Sequence, residues 1–116
     1  MHYRVIIQLT NSDELVIKSL LSQIKNLINA LNGEVDIELA CHGQSISFVL
    51  NAENKWADAI DSLLDKKVTI LACEQMLKGN GKSKTDLYPG INITPSAIAA
   101  IVKRQTEGWS YIKAGL

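Results

Sequence analysis

The chain carries no net charge: Lys and Arg together number 12, Asp and Glu together number 12, and the pI is near 6.7. A protein that tracks a phosphate backbone needs a clustered basic excess, so nucleic acid is excluded as the main partner. No apolar run approaches the roughly 18 residues of a membrane span, which excludes the bilayer as a partner in the spanning sense. Cysteine is scarce, with only Cys41 and Cys73. The start, Met1-His2-Tyr3-Arg4, runs straight into a strand pattern and lacks the layout of a secretory signal. The expectation is therefore a soluble cytoplasmic protein with free thiols. Two cysteines and one nearby histidine, His42, show no zinc spacing, so no metal is expected. Phosphate loops are missing as well. Gly81-Lys82-Ser83 invites a P-loop reading, but that motif needs glycine where Met76 stands and a strand just before the loop. The turn Leu9-Thr10-Asn11-Ser12 has no glycine, which removes a dinucleotide fingerprint, and no cofactor is expected. There are no repeats and no linker. A chain of 116 residues, 47% apolar, is read as one domain over residues 1–116 with a single core.

What is present is an alternation of strand and helix patterns. Tyr3 to Leu9 holds the apolar run Val5-Ile6-Ile7, as in a strand covered on both faces. Thr10-Asn11-Ser12-Asp13 offers several helix N-caps, and Val16, Leu20, Ile24, Leu27, Ile28 and Leu31 then recur at helical spacing until Asn32-Gly33. Val35, Ile37 and Leu39 alternate into Ala40-Cys41 and the turn at His42-Gly43. Residues 45–50 fit either a short strand or a helical turn. Trp56, Ile60, Leu63 and Leu64 give a helical stripe between Glu53 and Asp65. Residues 68–73 read as a buried strand ending on Cys73, followed at once by a short helix. Gly79 to Gly90 is the one long polar stretch, with three glycines and a proline, and reads as a loop. A short extended piece at 91–93 precedes Thr94-Pro95, which read as an N-cap followed by proline at the first helical position. Ile98, Ile101, Val102 and Gln105 share the face of that helix, and Trp109 to Lys113 alternates as a last strand.

This order predicts an α/β fold: a doubly wound, mostly parallel open sheet of four to five strands with helices on both faces, a flavodoxin-like three-layer arrangement. Ligands in such sheets bind beyond the carboxyl ends of the strands, near the reversal of strand order. The residues falling there are Thr10 and Asn11, then Cys41, His42 and Gly43, then Cys73, Glu74 and Gln75. A thiol at a helix N-terminus meets free backbone N–H groups and the positive end of the helix dipole, both of which favour the reactive thiolate. A cysteine ending a core strand is also ordinary packing, and Glu74 beside it opposes thiolate formation unless its carboxylate points away. His42 would serve as acid, base or thiolate partner, or simply as a solvated turn residue. Cys41 is either a second, resolving thiol or a buried strand residue. Lys78, Lys82 and Lys84 would form a positive rim over Cys73 if the 79–90 loop folded back, or a solvated basic loop if not.

The residues resemble the DsrE/DsrF-like family, small α/β domains associated with intracellular sulfur transfer, over nearly the whole length. The resemblance rests on the first strand and long helix, His42-Gly43 with Ile46, the strand end Ala72-Cys73, Pro89-Gly90, Thr94-Pro95-Ser96, and the closing Gln105-Thr106-Glu107-Gly108-Trp109-Ser110-Tyr111-Ile112-Lys113. It implies a homo-oligomer, trimer or hexamer, in which one cysteine accepts sulfane sulfur as a persulfide and passes it from a donor protein to an acceptor. The matching position is Cys73. Similar members often have small or amide residues after that cysteine, where this chain has Glu74-Gln75-Met76. The function expected is a sulfur carrier of sulfurtransferase type, with Asn11, His42, Gly43, Glu74 and Gln75 as supporting residues. The alternative is a non-catalytic oligomeric small-molecule-binding or regulatory protein using the same cleft, and a flavin or nucleotide binder is a weaker third.

Overall fold

The computed structural model describes residues 1–115. The elements in order are β1 (Tyr3–Asn11), α1 (Glu14–Ala30), β2 (Val35–Gln44), α2 (Ile46–Val49), α3 (Ala57–Asp65), β3 (Thr69–Cys73), α4 (Glu74–Gly79), β4 (Asn92–Thr94), α5 (Ala97–Thr106) and β5 (Ser110–Lys113). The five strands form one sheet in the order β4-β3-β2-β1-β5, and every neighbouring pair is parallel. The mostly parallel sheet expected from the sequence is thus parallel throughout.

Strand order fixes where the helices lie. The chain steps outward from β1 to β4, then returns across the sheet to place β5 on the far side of β1. Right-handed crossovers put the first three connections over one face and α5 over the other. Pairing confirms the two faces. Ile7 and Ile112 line a groove with Val16 and Leu27 of α1, whereas Glu38 meets Arg104 of α5 through Nε at 2.9 Å and Nη2 at 2.6 Å. Ile37, Leu39 and Cys41 on one face and Glu38 and Ala40 on the other are all buried, so β2 is the covered centre.

Asp13 caps α1, its Oδ1 accepting from Leu15 N at 2.9 Å and Val16 N at 3.4 Å. Ile17, Leu20 and Ile24 of that helix enter the core, with Val16, Leu27 and Ile28 half-buried beside them. Three expected details change. The helical stripe begins at Ala57 rather than Glu53, because Asn54 closes a turn: its Nδ2 donates to Phe48 O (2.9 Å) and Leu50 O (2.7 Å), and its Oδ1 accepts from Trp56 N (2.7 Å). The cap of α5 is Ser96, not Thr94, since Thr94 is still paired in β4 and Ser96 Oγ accepts from Ala99 N at 3.1 Å. That helix is also rotated: Ala97 and Ile101 are buried while Ile98 and Val102 are 52% and 58% exposed. The rotation puts Arg104 over Glu38, where it also lies 4.5 Å from the Trp109 ring centroid.

The residues between Gly79 and Gly90 are fastened at several points. Ser83 caps a single 3₁₀ turn at Lys84–Asp86. Asn51 N donates to Asp86 O, Tyr88 N to Val49 O, and the Tyr88 hydroxyl to Asp61 (2.9, 2.9 and 2.8 Å). Leu87 is buried and bridges Leu50. The segment is tied to α2 and α3, and it does not fold back over Cys73.

Candidate functional site

Adjacent strands whose outgoing connections leave to opposite faces open a crevice between them. Here those strands are β3, which runs into α4, and β4, which runs into α5; they meet at the pair Cys73 and Thr94. Cys73 is the last residue of β3 and the N-cap residue of α4, with extended backbone (φ −69°, ψ 124°) and no capping hydrogen bond from its side chain. It is 7% exposed. Alternation along β3 directs it to the α5 face with Leu71, and Leu71, Thr94 and Ser96 line a groove of about 330 Å3 beside α5.

The neighbouring strand supplies His42. Cys41 pairs with Ala72 at the end of that ladder, and strand alternation puts the next residues, His42 and Cys73, on the same face. Cys41 itself points to the other face, is fully buried, and burial pushes its thiol far above the ordinary range. Both cysteines are free, and strand alternation holds them on opposite sides of the sheet. A resolving role for Cys41 is therefore overturned by the geometry.

Burial also pushes His42 below the ordinary imidazole value. Its Nε2 lies 2.7 Å from Nε2 of Gln8 on β1, and Oε1 of that amide accepts from the hydroxyl of Tyr111 on β5. Gly43 follows in a left-handed conformation (φ +64°) where the β1–β2 register slips by a residue; a side chain there would meet Thr10 O at 3.2 Å. The turn is closed by Ser45, buried and donating from Oγ to His42 O at 2.8 Å, with Met76 Sδ of α4 at 3.6 Å.

The remaining expected residues stand apart. Glu74 pairs with Lys78 at 3.3 Å along α4, so its carboxylate is engaged by a cation, and Gln75 is exposed. Asn11 supports the start of α1, its Oδ1 accepting from Asp13 N at 3.0 Å. Asn11 also lines the larger groove of about 1120 Å3 between α1 and β1–β5, on the face opposite Cys73. The Asp13 carboxylate occupies the first N–H groups of α1, the place where a flavodoxin-like protein would hold a phosphate. Among the described residues no three metal-ligating side chains converge, and no helix is long and apolar enough to cross a membrane.

Sequence reasoning passed over Gln8 and Tyr111. The available signal was the one amide between Ile7 and Leu9 in an otherwise apolar strand, since a polar side chain there needs a partner.

The DsrE/DsrF-like family model matches residues 4–114. The chain belongs to the DsrE/DsrF-like family. Solved DsrE-like folds superpose on it closely. The structure of MTH1491 from Methanobacterium thermoautotrophicum, a protein of unknown function, is 30% identical, with a TM-score of 0.91 over 96% of this chain and 98% of that one. The ychN protein from E. coli matches with a TM-score of 0.76 at 16% identity, over 97% of this chain and 99% of that one. BT1422 from Bacteroides thetaiotaomicron, a conserved protein of unknown function, matches at 0.71 and 21% identity, over 94% and 93%. The last two are likenesses of fold alone. No curated protein matches the chain in sequence.

Proposed function

We propose that this DsrE/DsrF-like chain is a sulfur carrier of sulfurtransferase type that holds sulfane sulfur as a persulfide on Cys73. The observation that carries the reading is the position of Cys73: at the β3–β4 crevice, at the start of α4, on the same sheet face as His42 of the adjacent strand, with the only other thiol sealed on the opposite face. The Cys73 thiolate attacks the outer sulfur of a donor persulfide. A bond forms between Sγ and that sulfur as the donor S–S bond breaks, and the proton given up by Cys73 ends on the departing donor thiolate. No net oxidation occurs and no cofactor is consumed. Release is the same exchange, with an acceptor protein's thiolate attacking the outer sulfur. Donor and acceptor are therefore proteins with exposed thiols, and the carrier works as a homo-oligomer, trimer or hexamer.

Intact-mass analysis and peptide mapping after incubation with a persulfide donor, without reductant, test this. We expect one added sulfur on the Cys73 peptide, its loss in Cys73→Ser, and full loading in Cys41→Ser. Loading retained by Cys73→Ser overturns the assignment.

The groove of about 1120 Å3 between α1 and β5 favours a second reading, a small-molecule-binding protein in which Cys73 plays no chemical part. An unloaded, slowly alkylated Cys73 together with ligand binding unaltered in Cys73→Ser would select it.

A further inference from the structure

Three residues from three adjacent strands form a chain of hydrogen bonds across the sheet: Tyr111 on β5, Gln8 on β1 and His42 on β2. The register makes this possible. Gln8 pairs with Ala40 and with Lys113, so His42 lies two residues beyond it on one side and Tyr111 two residues behind it on the other, all on the α5 face.

With the Gln8 amide oriented as it is in this structure, the order of donors along the chain points to one state of the imidazole. The Gln8 amide presents Oε1 to the Tyr111 hydroxyl, which donates to it, and NH2 to His42. An amide nitrogen only donates, so His42 Nε2 must accept, and the ring hydrogen resides on Nδ1. An imidazolium, or the tautomer with hydrogen on Nε2, would face that NH2 with a second donor and would require the amide to turn over. Nδ1–H is then the ring's remaining hydrogen-bonding atom. It is a hydrogen-bond donor, not a base.

From this the geometry points to Gln8, backed by Tyr111, as a positioning residue that holds His42 in its Nδ1–H form, so that His42 serves the Cys73 chemistry by donating a hydrogen bond to anionic sulfur rather than by removing the thiol proton. The proposal rests on the sulfur reading for its biological purpose but not for its test. Burial of the ring acts in the same direction, favouring the uncharged form. The titratable and charged groups on this face are Arg4 on β1, Asp36 and Glu38 on β2, Cys73 on β3, Tyr111 and Lys113 on β5, and Lys103, Arg104 and Glu107 of α5. The hydrogen-bond partner of the His42 ring is therefore an amide, where a carboxylate would instead have drawn a proton onto the ring.

Long-range proton–nitrogen spectra of the 15N-labelled protein read the tautomer directly. The chain has only two histidines, and His2→Gln assigns the other. We expect an acceptor-type Nε2 and a protonated Nδ1 for His42 in the native protein. In Gln8→Leu the ring should revert to a tautomer mixture. In Gln8→Glu the carboxylate should pull the hydrogen to Nε2 and raise the His42 titration midpoint by about one pH unit. Tyr111→Phe, which keeps the fold of the strand, should loosen the preference. A native ring with hydrogen on Nε2, or a tautomer indifferent to Gln8→Leu and Gln8→Glu, overturns the proposal.

The second readout is the pH profile of Cys73 alkylation by iodoacetamide, which needs no sulfur donor. Gln8→Glu should shift that profile, and His42→Gln should abolish the difference between Gln8→Glu and native protein. A switched tautomer with an unmoved profile overturns the positioning role. If the native protein shows the expected tautomer and profile but never takes up sulfur, it is the carrier reading that falls.

Discussion

His42 is exposed enough to reach solvent and buried enough to resist charging, which gives it a measurable effect on stability. Its native midpoint lies below the ordinary value of 6.5 because burial penalises the imidazolium. Between the two values the unfolded chain binds more protons than the native one, so stability falls as pH drops below about 6.5 and is fully present above it. Urea unfolding at pH 7.5 and 5.5 should show a lower midpoint at the lower pH, with that part of the difference absent from His42→Gln. The residue was visible in the sequence as a polar group at a strand end. Its tautomer was not, because the determining amide lies 34 positions away and the tyrosine behind it 103 positions from that amide. Cys73 was legible for the opposite reason: strand end, thiol and helix start are contiguous, so local pattern alone sets its position.

Among the elements, the longest and most periodic were readable. The α1 stripe predicts its helix directly, and the apolar run of β1 predicts a strand covered on both sides. Two boundaries moved because single side chains decided them. Asn54 engages three backbone groups around the 48–56 turn, and Ser96 takes over the cap after Thr94 is claimed by β4. Asn54→Ala removes all three bonds in a half-buried turn and should cost about 2 kcal/mol in chemical denaturation, leaving β3 and Cys73 in place. The face of α5 was misjudged because apolar size was taken as the guide. The helix instead approaches the sheet through Ala97 and Ile101 and through an arginine whose carboxylate partner is 66 residues distant. Pattern analysis weighs residues on one helix and has no access to such a partner.

For the molecule as a whole, α5 and β5 leave Ile98, Val102, Tyr111 and Ile112 exposed, at 52%, 58%, 39% and 43%. β5 also presents one unpaired edge, since it joins the sheet only through β1. Open edges, and apolar side chains exposed one turn apart as Ile98 and Val102 are on α5, are commonly covered by another chain. The oligomer proposed above should therefore weaken by about tenfold or more in association constant when Ile98→Glu is combined with Val102→Glu, as read by sedimentation velocity. Equal association of native and variant protein would place the subunit contact elsewhere, and a monomeric native protein would overturn the oligomer.

The position of β5 has a further consequence, in time rather than in space. During synthesis, β1 to β4 emerge in the order in which they lie across the sheet, but β1 lacks its second neighbour until residues 110–113 have left the ribosome. The bond from Tyr111 to Gln8 spans 103 positions and is among the last the chain can make. Cys73 is thus synthesised well before the strand that completes the hydrogen-bond chain to His42.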